Sequence, residues 1–525
     1  MRCASSSSAA ATEEATLSLP EGADAARAAL AAGGNALVWR RLVADTLTPV
    51  GAALRLIEPG RGDFLLESVE GGAVRGRYSL LGLDPDLLFR AEGARAERNP
   101  RWQSDRAAFA PVDGDPLAAL RALLAECRIA VPDGLPPALA CVVGYFAYET
   151  LGLVEAVPRP AAPGIGLPDI LFVRPTLLLV FDSLGEELFC IAPLWRGDRA
   201  GSDAGDHERA IADAAERIDA ALARLAGPEP VAQGFAGQLP EAALTPELAG
   251  DDYRAMVLKA KDYIAAGDIF QVVLAQRFTC PFPLPPLALY RALRRVNPSP
   301  FLYFLDLPGF AVVGSSPEIL VRVRDGEVTV RPIAGTSPRG GNAAEDEQRA
   351  RLLLADPKER AEHLMLLDLG RNDVGRVAAR GSVAVTDSFT IERYSHVMHI
   401  VSQVTGRLDP ARDAVDALFA CFPAGTVSGA PKIRACEIVA ELEPEARGAY
   451  AGGVGYFAPD GSIDSCIVLR TAVVKDGVMH VQAGAGIVAD SDPAGEQREC
   501  EAKAGALRAA AAEAFRIAGE ALYGQ

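Results

Sequence analysis

From about Ala36 to Phe109, short apolar runs such as DFLLESVEGG, RYSLLGLDP and LLFRAEGARAE are separated by Gly-rich turns, a pattern that predicts antiparallel strands. Pro116 to Cys127 has helical spacing, and CVVGYFAYET reads as a strand running into a helix. The apolar runs DILFVRPTLLLVFDS and ELFCIAPLW predict a buried hairpin. His207 to Leu225 is Ala-rich with charges at helical spacing, a surface helix. Residues 227–247 are rich in Pro, Gly and Ala with little periodicity and read as a linker.

The second half opens with a helix over Asp251 to Ala266, closed by Gly267 as C-cap. A strand, IFQVVLAQRF, and a helix over Pro286 to Arg295 follow. The run from Phe301 to Gly335 reads as a three-strand meander turning at Pro308-Gly309 and Asp325-Gly326, and the polar stretch Thr336 to Asp346 as a mobile loop. A helix begins at Asp356, further strands lie between Ser382 and Leu408, and GTVSGAPK leads into another helix. A last hairpin precedes the closing helix, which starts near Pro493. Strands and helices do not alternate regularly, so the pattern predicts an α+β fold of layered antiparallel β-sheets, a β-sandwich core with surrounding helices.

The chain has 525 residues, enough for more than one domain, and half of them are hydrophobic. Its expected divisions are a weakly ordered arm (1–33), an N-terminal sheet region (34–226), the linker (227–247) and a C-terminal domain (248–525). A net charge of -17 argues against nucleic acid or a membrane surface as a general partner. Nine cysteines are scattered without a CxxC pair, which favours reduced, buried thiols and a cytoplasmic setting.

Two segments carry candidate chemistry. DPKERAEHLMLLDLGRND, from Asp356 to Asp373, and DPAGEQRECEAK, from Asp492 to Lys503, both open with Asp-Pro, suited to a helix N-cap and first turn. Each carries two glutamates three apart, Glu359 with Glu362 and Glu496 with Glu499, so each pair shares a helix face. Converging acidic faces would repel unless a cation sat between them, and Mg2+ needs only one or two protein carboxylates beside an anionic substrate. Exposed glutamates that merely solvate a helix give the same spacing. Arg470 interrupts an apolar strand and would need an anion if buried. Gly484-Ala485-Gly486 ends a strand where bare backbone N–H groups could grip a carboxylate. Tyr456 is either core or a hydroxyl donor, and His399 lies in a strand. Thr426 would cap the helix after it, and Lys432 is either a phosphate-type cation or plain surface.

In this order the residues carry a resemblance. LLES at 65–68, FQVV at 270–273, NPSPF at 297–301, GSSPE at 314–318 and RPIAGTSPRG at 331–340 are part of it. EHLMLLDLGRND at 362–373, GTVSGAPK at 425–432, GYF at 455–457, QAGAGIV at 482–488 and the ExxE of 496–499 complete it. From about residue 36 to 515 the chain resembles the chorismate-utilising enzymes, and within them the component I family of anthranilate synthases.

The resemblance implies a lyase of tryptophan biosynthesis that converts chorismate and ammonia to anthranilate and pyruvate. It implies Mg2+ held by Glu362 and Glu499, with Glu359 and Glu496 behind them. Gly335, Thr336, Tyr456, Arg470, Gly484, Ala485, Gly486 and Lys503 match chorismate-contacting positions. Glu318 matches a general acid for the departing C4 hydroxyl, while Thr426 and His399 match positions tied to the loss of pyruvate. Water-using relatives have a lysine base where this chain has Gln271, and relatives that stop at aminodeoxychorismate have an attacking lysine where it has Ala334. Ser68 and Pro300-Phe301-Leu302 match a pocket for feedback inhibition by L-tryptophan. No glutaminase motif is present, so a separate glutamine amidotransferase subunit is implied, in a heterotetramer of two of each.

Overall fold

Pro317 and Pro175 explain much of the architecture, because proline lacks the N–H that would continue a sheet ladder. The computed structural model describes residues 19–70, 74–196, 203–228, 238–394 and 397–520. Its strands form two twelve-stranded antiparallel sheets. At Pro175 the expected hairpin divides: Ile170–Arg174 joins one sheet, while Leu177–Asp182 and Glu187–Leu194 join the other. At Pro317 the expected three-strand meander becomes four strands, Phe301–Leu307 and Phe310–Ser316 in one sheet, Ile319–Arg324 and Glu327–Val330 in the other.

Both sheets draw strands from both halves of the sequence. In the first, the path runs through Leu177–Asp182, Val74–Leu83 and Asp63–Glu70 into Phe301–Leu307, Phe310–Ser316, Thr471–Lys475, Val478–Ile487 and Gln271–Pro281. In the second, Ile319–Arg324, Ile463–Ile467 and Gly453–Phe457 lead into Val142–Phe146, Ile170–Arg174 and Leu87–Glu92. Residues 229–237 of the expected linker lie outside the described residues, and Thr245–Pro246 within it pairs with Thr279 and Phe278 in the first sheet. The boundary between the halves therefore divides the sequence but not the sheets, and one buried apolar cluster spans both halves.

Each seam has its own lock. In the first sheet Glu67 stands opposite Leu302 and is buried, accepting hydrogen bonds from the Tyr290 hydroxyl at 2.6 Å and from Arg294 at 2.9 and 3.0 Å. In the second, Gly144 stands opposite Gly455, and a side chain on Gly144 would run into the Leu171 carbonyl.

Three further expectations change. The arm drawn over 1–33 includes the helix Ala23–Ala31, which buries Ala23, Ala26 and Leu30; residues 1–18 lie outside the described residues. The expected loop over Thr336 to Asp346 shrinks to 339–342: a strand runs to Pro338, and Asn342 caps the helix Ala343–Ala355 by accepting from the Ala344 and Glu345 amides. A short helix, Pro49–Leu56, interrupts the first strands, capped by Thr48. The helix expectations near Pro116, Asp251, Pro286, Asp356 and Pro493 hold. No helix among the described residues is long and apolar enough to cross a membrane, and the eight described cysteines are buried and unpaired.

Because the seams are shared, Gly144→Ala is expected to cost about 1–3 kcal/mol and to move a single urea transition to lower midpoint. Two separable transitions in intrinsic fluorescence, one per half, would contradict the shared core.

Candidate active site

Two crossovers between the sheets create the site. Ser316-Pro317-Glu318 leaves the first sheet for the second, and Val468-Leu469-Arg470 returns. They are stitched together: the Ile467 amide donates to the Glu318 carbonyl at 3.0 Å, and the Ser315 amide to the Arg470 carbonyl at 3.2 Å. Arg470 adopts a left-handed backbone, φ 49°, which bends the chain out of one sheet and into the other.

Glu318 is 4% exposed. Burial pushes its carboxyl up to about 8, against the opposing effects of the Thr426 hydroxyl, an Ile333 amide and Arg470. The Thr426 hydroxyl donates to Glu318 Oε1 at 2.8 Å instead of capping the next helix. At neutral pH Glu318 is thus a protonated acid, which is what proton donation requires. Arg470 is desolvated, which lowers its pKa, and its guanidinium makes no hydrogen bond or ion pair among the described residues. A cation held this way is a receptor for an anion.

The strand Ile333–Pro338 carries a bulge between Ala334 and Thr336, with Gly335 at φ 68° as the extra residue. A Cβ on Gly335 would stand 2.9 Å from Glu359 Oε2, so the glycine lets the strand approach the acidic helix. His399 lies opposite Thr336, with Nδ1 2.8 Å from the Gly335 carbonyl and 3.2 Å from the Thr336 hydroxyl. Donation from Nδ1 to that carbonyl leaves Nε2 with its lone pair. Burial pushes the His399 pKa down, which keeps the ring neutral.

Both acidic helices start as their Asp-Pro pairs predict. Asp356 Oδ1 accepts from the Lys358 and Glu359 amides at 2.8 and 3.1 Å, and Asp492 Oδ2 from the Gly495 amide at 2.9 Å. The helices Pro357–Gly375 and Pro493–Gly519 bring Glu359 and Glu362 within electrostatic reach of Glu499. Burial raises the Glu359 carboxyl, and repulsion from Glu362 and Glu499 adds to it. Burial likewise raises Glu362, opposed by Lys503 and reinforced by Glu499 and Glu496. Lys503 Nζ reaches Glu499 at 2.8 Å and donates to the Gly484 carbonyl at 2.9 Å. Among the described residues no three His, Cys, Asp or Glu side chains form a metal cage. A pair of carboxylates with their charge only partly offset fits an ion that takes its other ligands from water and substrate.

Lys503 carries the ring of contacts to Gly484-Ala485-Gly486. A Cβ on Gly484 would meet the Tyr450 hydroxyl at 2.8 Å and the Leu274 carbonyl at 2.9 Å, and one on Gly486 would collide with the Gln271 amide. Gln271 Oε1 is buried without a hydrogen-bond partner.

Glu318, Thr426, Arg470, Gly335, Thr336, His399, Glu359, Glu362, Glu499, Lys503 and the strand stretch Gly484–Gly486 are therefore linked neighbour to neighbour, the charge of Arg470 reaching His399. Tyr456 does not join them. It lies opposite Asp464 and Val143, and Asp464 in turn opposite Arg322, four residues along the strand from Glu318. The hydroxyl at Gly484 belongs to Tyr450. Both tyrosines stand in one Gly-rich segment, and their order in the chain does not choose between them. Tyr394, which no motif marks, packs its ring edge-on to His399 at 5.5 Å. Lys432 is neither a free cation nor surface, since it pairs with the buried Asp373 at 2.8 Å. The residues expected to receive an inhibitor adjoin at the first seam: Leu302 lies opposite Glu67, and Ser68 follows it.

The chorismate binding enzyme family matches residues 68–509. Anthranilate synthase component 1 of Cereibacter sphaeroides is 52% identical over 92% of this chain and 96% of its own length. The Thermus thermophilus protein of that name is 46% identical over 89% and 96%. The crystal structure of anthranilate synthase component I from Streptococcus pneumoniae superposes with a TM-score of 0.69 at 34% identity, covering 89% of this chain and 99% of that one. The menaquinone-specific isochorismate synthase of Escherichia coli, 21% identical with a TM-score of 0.66 over 91% and 94%, shares the fold.

An unpaired, desolvated guanidinium destabilises the empty site. Arg470→Gln is therefore expected to stabilise the ligand-free protein by about 1 kcal/mol in thermal melts and to push the Glu318 carboxyl above about 8. An unchanged or lower melting temperature would show that Arg470 already has its counter-charge.

Proposed function

Since the chain belongs to the chorismate-binding enzymes, with anthranilate synthase component 1 proteins among its relatives, we propose that it converts chorismate and ammonia to anthranilate and pyruvate. The observation that carries this reading is Glu318, a buried acid still protonated at neutral pH, beside the unpaired cation of Arg470.

In this reading Arg470, the Tyr450 hydroxyl and the Gly484–Gly486 backbone receive a substrate carboxylate. Glu362 and Glu499 would hold Mg2+, with Glu359 and Glu496 beside them; the ion would neutralise the ring carboxylate and anchor the ring. Ammonia adds at C2 as the C4 hydroxyl leaves, and the Glu318 proton goes to that hydroxyl, which departs as water. Loss of the C2 proton and of the enolpyruvyl group as pyruvate then makes the ring aromatic. Neutral His399, with Nε2 unprotonated, and Thr426 would assist that elimination.

The nucleophile is argued from Gln271. An amide cannot deprotonate water, whereas its unpartnered Oε1 can accept a hydrogen bond from ammonia. Ala334 offers no amine for attack on the ring, which disfavours the route that stops at aminodeoxychorismate. Ammonia would come from glutamine through a separate amidotransferase subunit, in a heterotetramer of two of each. L-Tryptophan would bind near Ser68, Pro300, Phe301 and Leu302. The strand through Phe301 and Leu302 pairs directly with Ser316 and Ser315, just before Glu318, so occupancy there has a short path to the acid.

Purified chain with chorismate, MgCl2 and an ammonium salt should generate anthranilate fluorescence; isochorismate or a non-fluorescent amino intermediate would defeat the reading. Glu318→Gln should lower kcat about 100- to 10,000-fold. In the parent enzyme kcat should fall as pH rises through about 8, where the acid loses its proton. Glu362→Gln and Glu499→Gln should each abolish turnover, and an unchanged Mg2+ dependence in either would refute the ligand assignment. Ser68→Phe should keep activity and lose inhibition by tryptophan.

A further inference from the structure

Behind the residues that face substrate lies a second, fully buried charge cluster. Arg447 and Glu443 are each 3% exposed and join through two hydrogen bonds, Nε to Oε2 at 2.8 Å and Nη2 to Oε1 at 2.6 Å. Burying both charges is costly, and the cost is offset only where their remaining hydrogen-bonding capacity is used. Here it is used on backbone. Arg447 Nη1 donates to the Val427 carbonyl at 2.8 Å and Nη2 to the Val273 carbonyl at 2.7 Å, while Glu443 Oε1 accepts from the Ala275 amide at 2.8 Å.

Each target adjoins a working part of the site. Val427 follows Thr426, whose hydroxyl holds Glu318. Val273 and Ala275 stand opposite Gly486 and Gly484. The guanidinium also lies 5.6 Å from the ring of Tyr450, whose hydroxyl abuts Gly484. From the other side, Tyr148 stacks on it at 4.6 Å. Glu149 accepts from the Arg447 amide at 2.8 Å and the Gly448 amide at 3.0 Å. Tyr148 and Glu149 sit on a short helical turn of the N-terminal half.

We propose that Arg447, clamped by Glu443 and braced from the N-terminal half by Glu149, is a positioning residue that sets the spacing between the Thr426–Glu318 proton donor and the Gly484–Gly486 cradle. The inference rests on the reaction proposed above. It makes the turn at Tyr148–Glu149 part of the frame of the active site, although neither residue faces substrate.

The test uses the full chain with Arg447→Lys and, as a milder change outside the site, Glu149→Gln. The Glu318 carboxyl is followed by infrared titration of the ligand-free protein, its band assigned by loss in Glu318→Gln. When the Val427 carbonyl is released, the Thr426 hydroxyl no longer steadies the Glu318 carboxylate, so the titration should move up by roughly half a pH unit or more. With chorismate and ammonium, kcat should fall about tenfold or more while KM changes less than about threefold. Adding Thr426→Ala should then lower kcat little further. An unmoved Glu318 titration in both variants, or losses that multiply with Thr426→Ala, would overturn the proposal. The infrared measurement needs no turnover, so it decides the positioning role even if chorismate is converted to another product.

Discussion

The site depends on the chain passing twice between two sheets at neighbouring points. One passage holds Glu318, the other Arg470, and each passage hydrogen-bonds to the residue beside the other. A strand that changes sheet must bend. Here one bend falls at Pro317 and the other at the left-handed Arg470. The same geometry that lets strands contribute to both layers therefore brings an acid and a cation to one corner. Neither lies in the regular alternation of a strand, where each would have to face either core or solvent.

Burial then decides protonation. Holding the Glu318 carboxyl near 8 in place of its ordinary value corresponds to on the order of 5 kcal/mol against the charged form. That is what remains of the burial penalty after the pulls of Thr426, Ile333 and Arg470, which all favour the anion, are set against it. On the opposite wall the balance differs: the glutamates are half-buried or exposed, they repel one another, and Lys503 offsets only part of their charge. One side of the site is thus suited to receive an anion and give a proton, the other to receive a cation. In a chain of net charge -17, an anionic substrate needs that local arrangement.

The N-terminal half contributes to this centre through its framework. Its strands continue both sheets, Glu67 is locked to Tyr290 and Arg294 at one seam, and Glu149 props the buried Arg447 at the other side. Packed β-structure transmits small displacements because it has few voids to absorb them. The strand through Ser68 pairs with Phe301–Leu307, and that strand pairs in turn with Phe310–Ser316, which leads to Glu318.

The class of fold, most helices, both Asp-Pro caps and the pairing of glutamates on helix faces were legible in the sequence, because capping and periodicity are local. So was the family, from motifs spread along the chain. The helix after Asn342 was hidden by its polar residues, although its cap was visible. Local pattern could not decide which sheet each strand joins, since Ile319–Arg324 looks like a continuation of Phe310–Ser316 until Pro317 sends it to the other layer. Nor could it choose Tyr450 over Tyr456, assign Thr426 to Glu318 instead of to a helix end, or show that Arg447 is buried. Those outcomes depend on which distant backbone lies alongside, and hence on how much water is excluded from each charge; only the tertiary structure sets that.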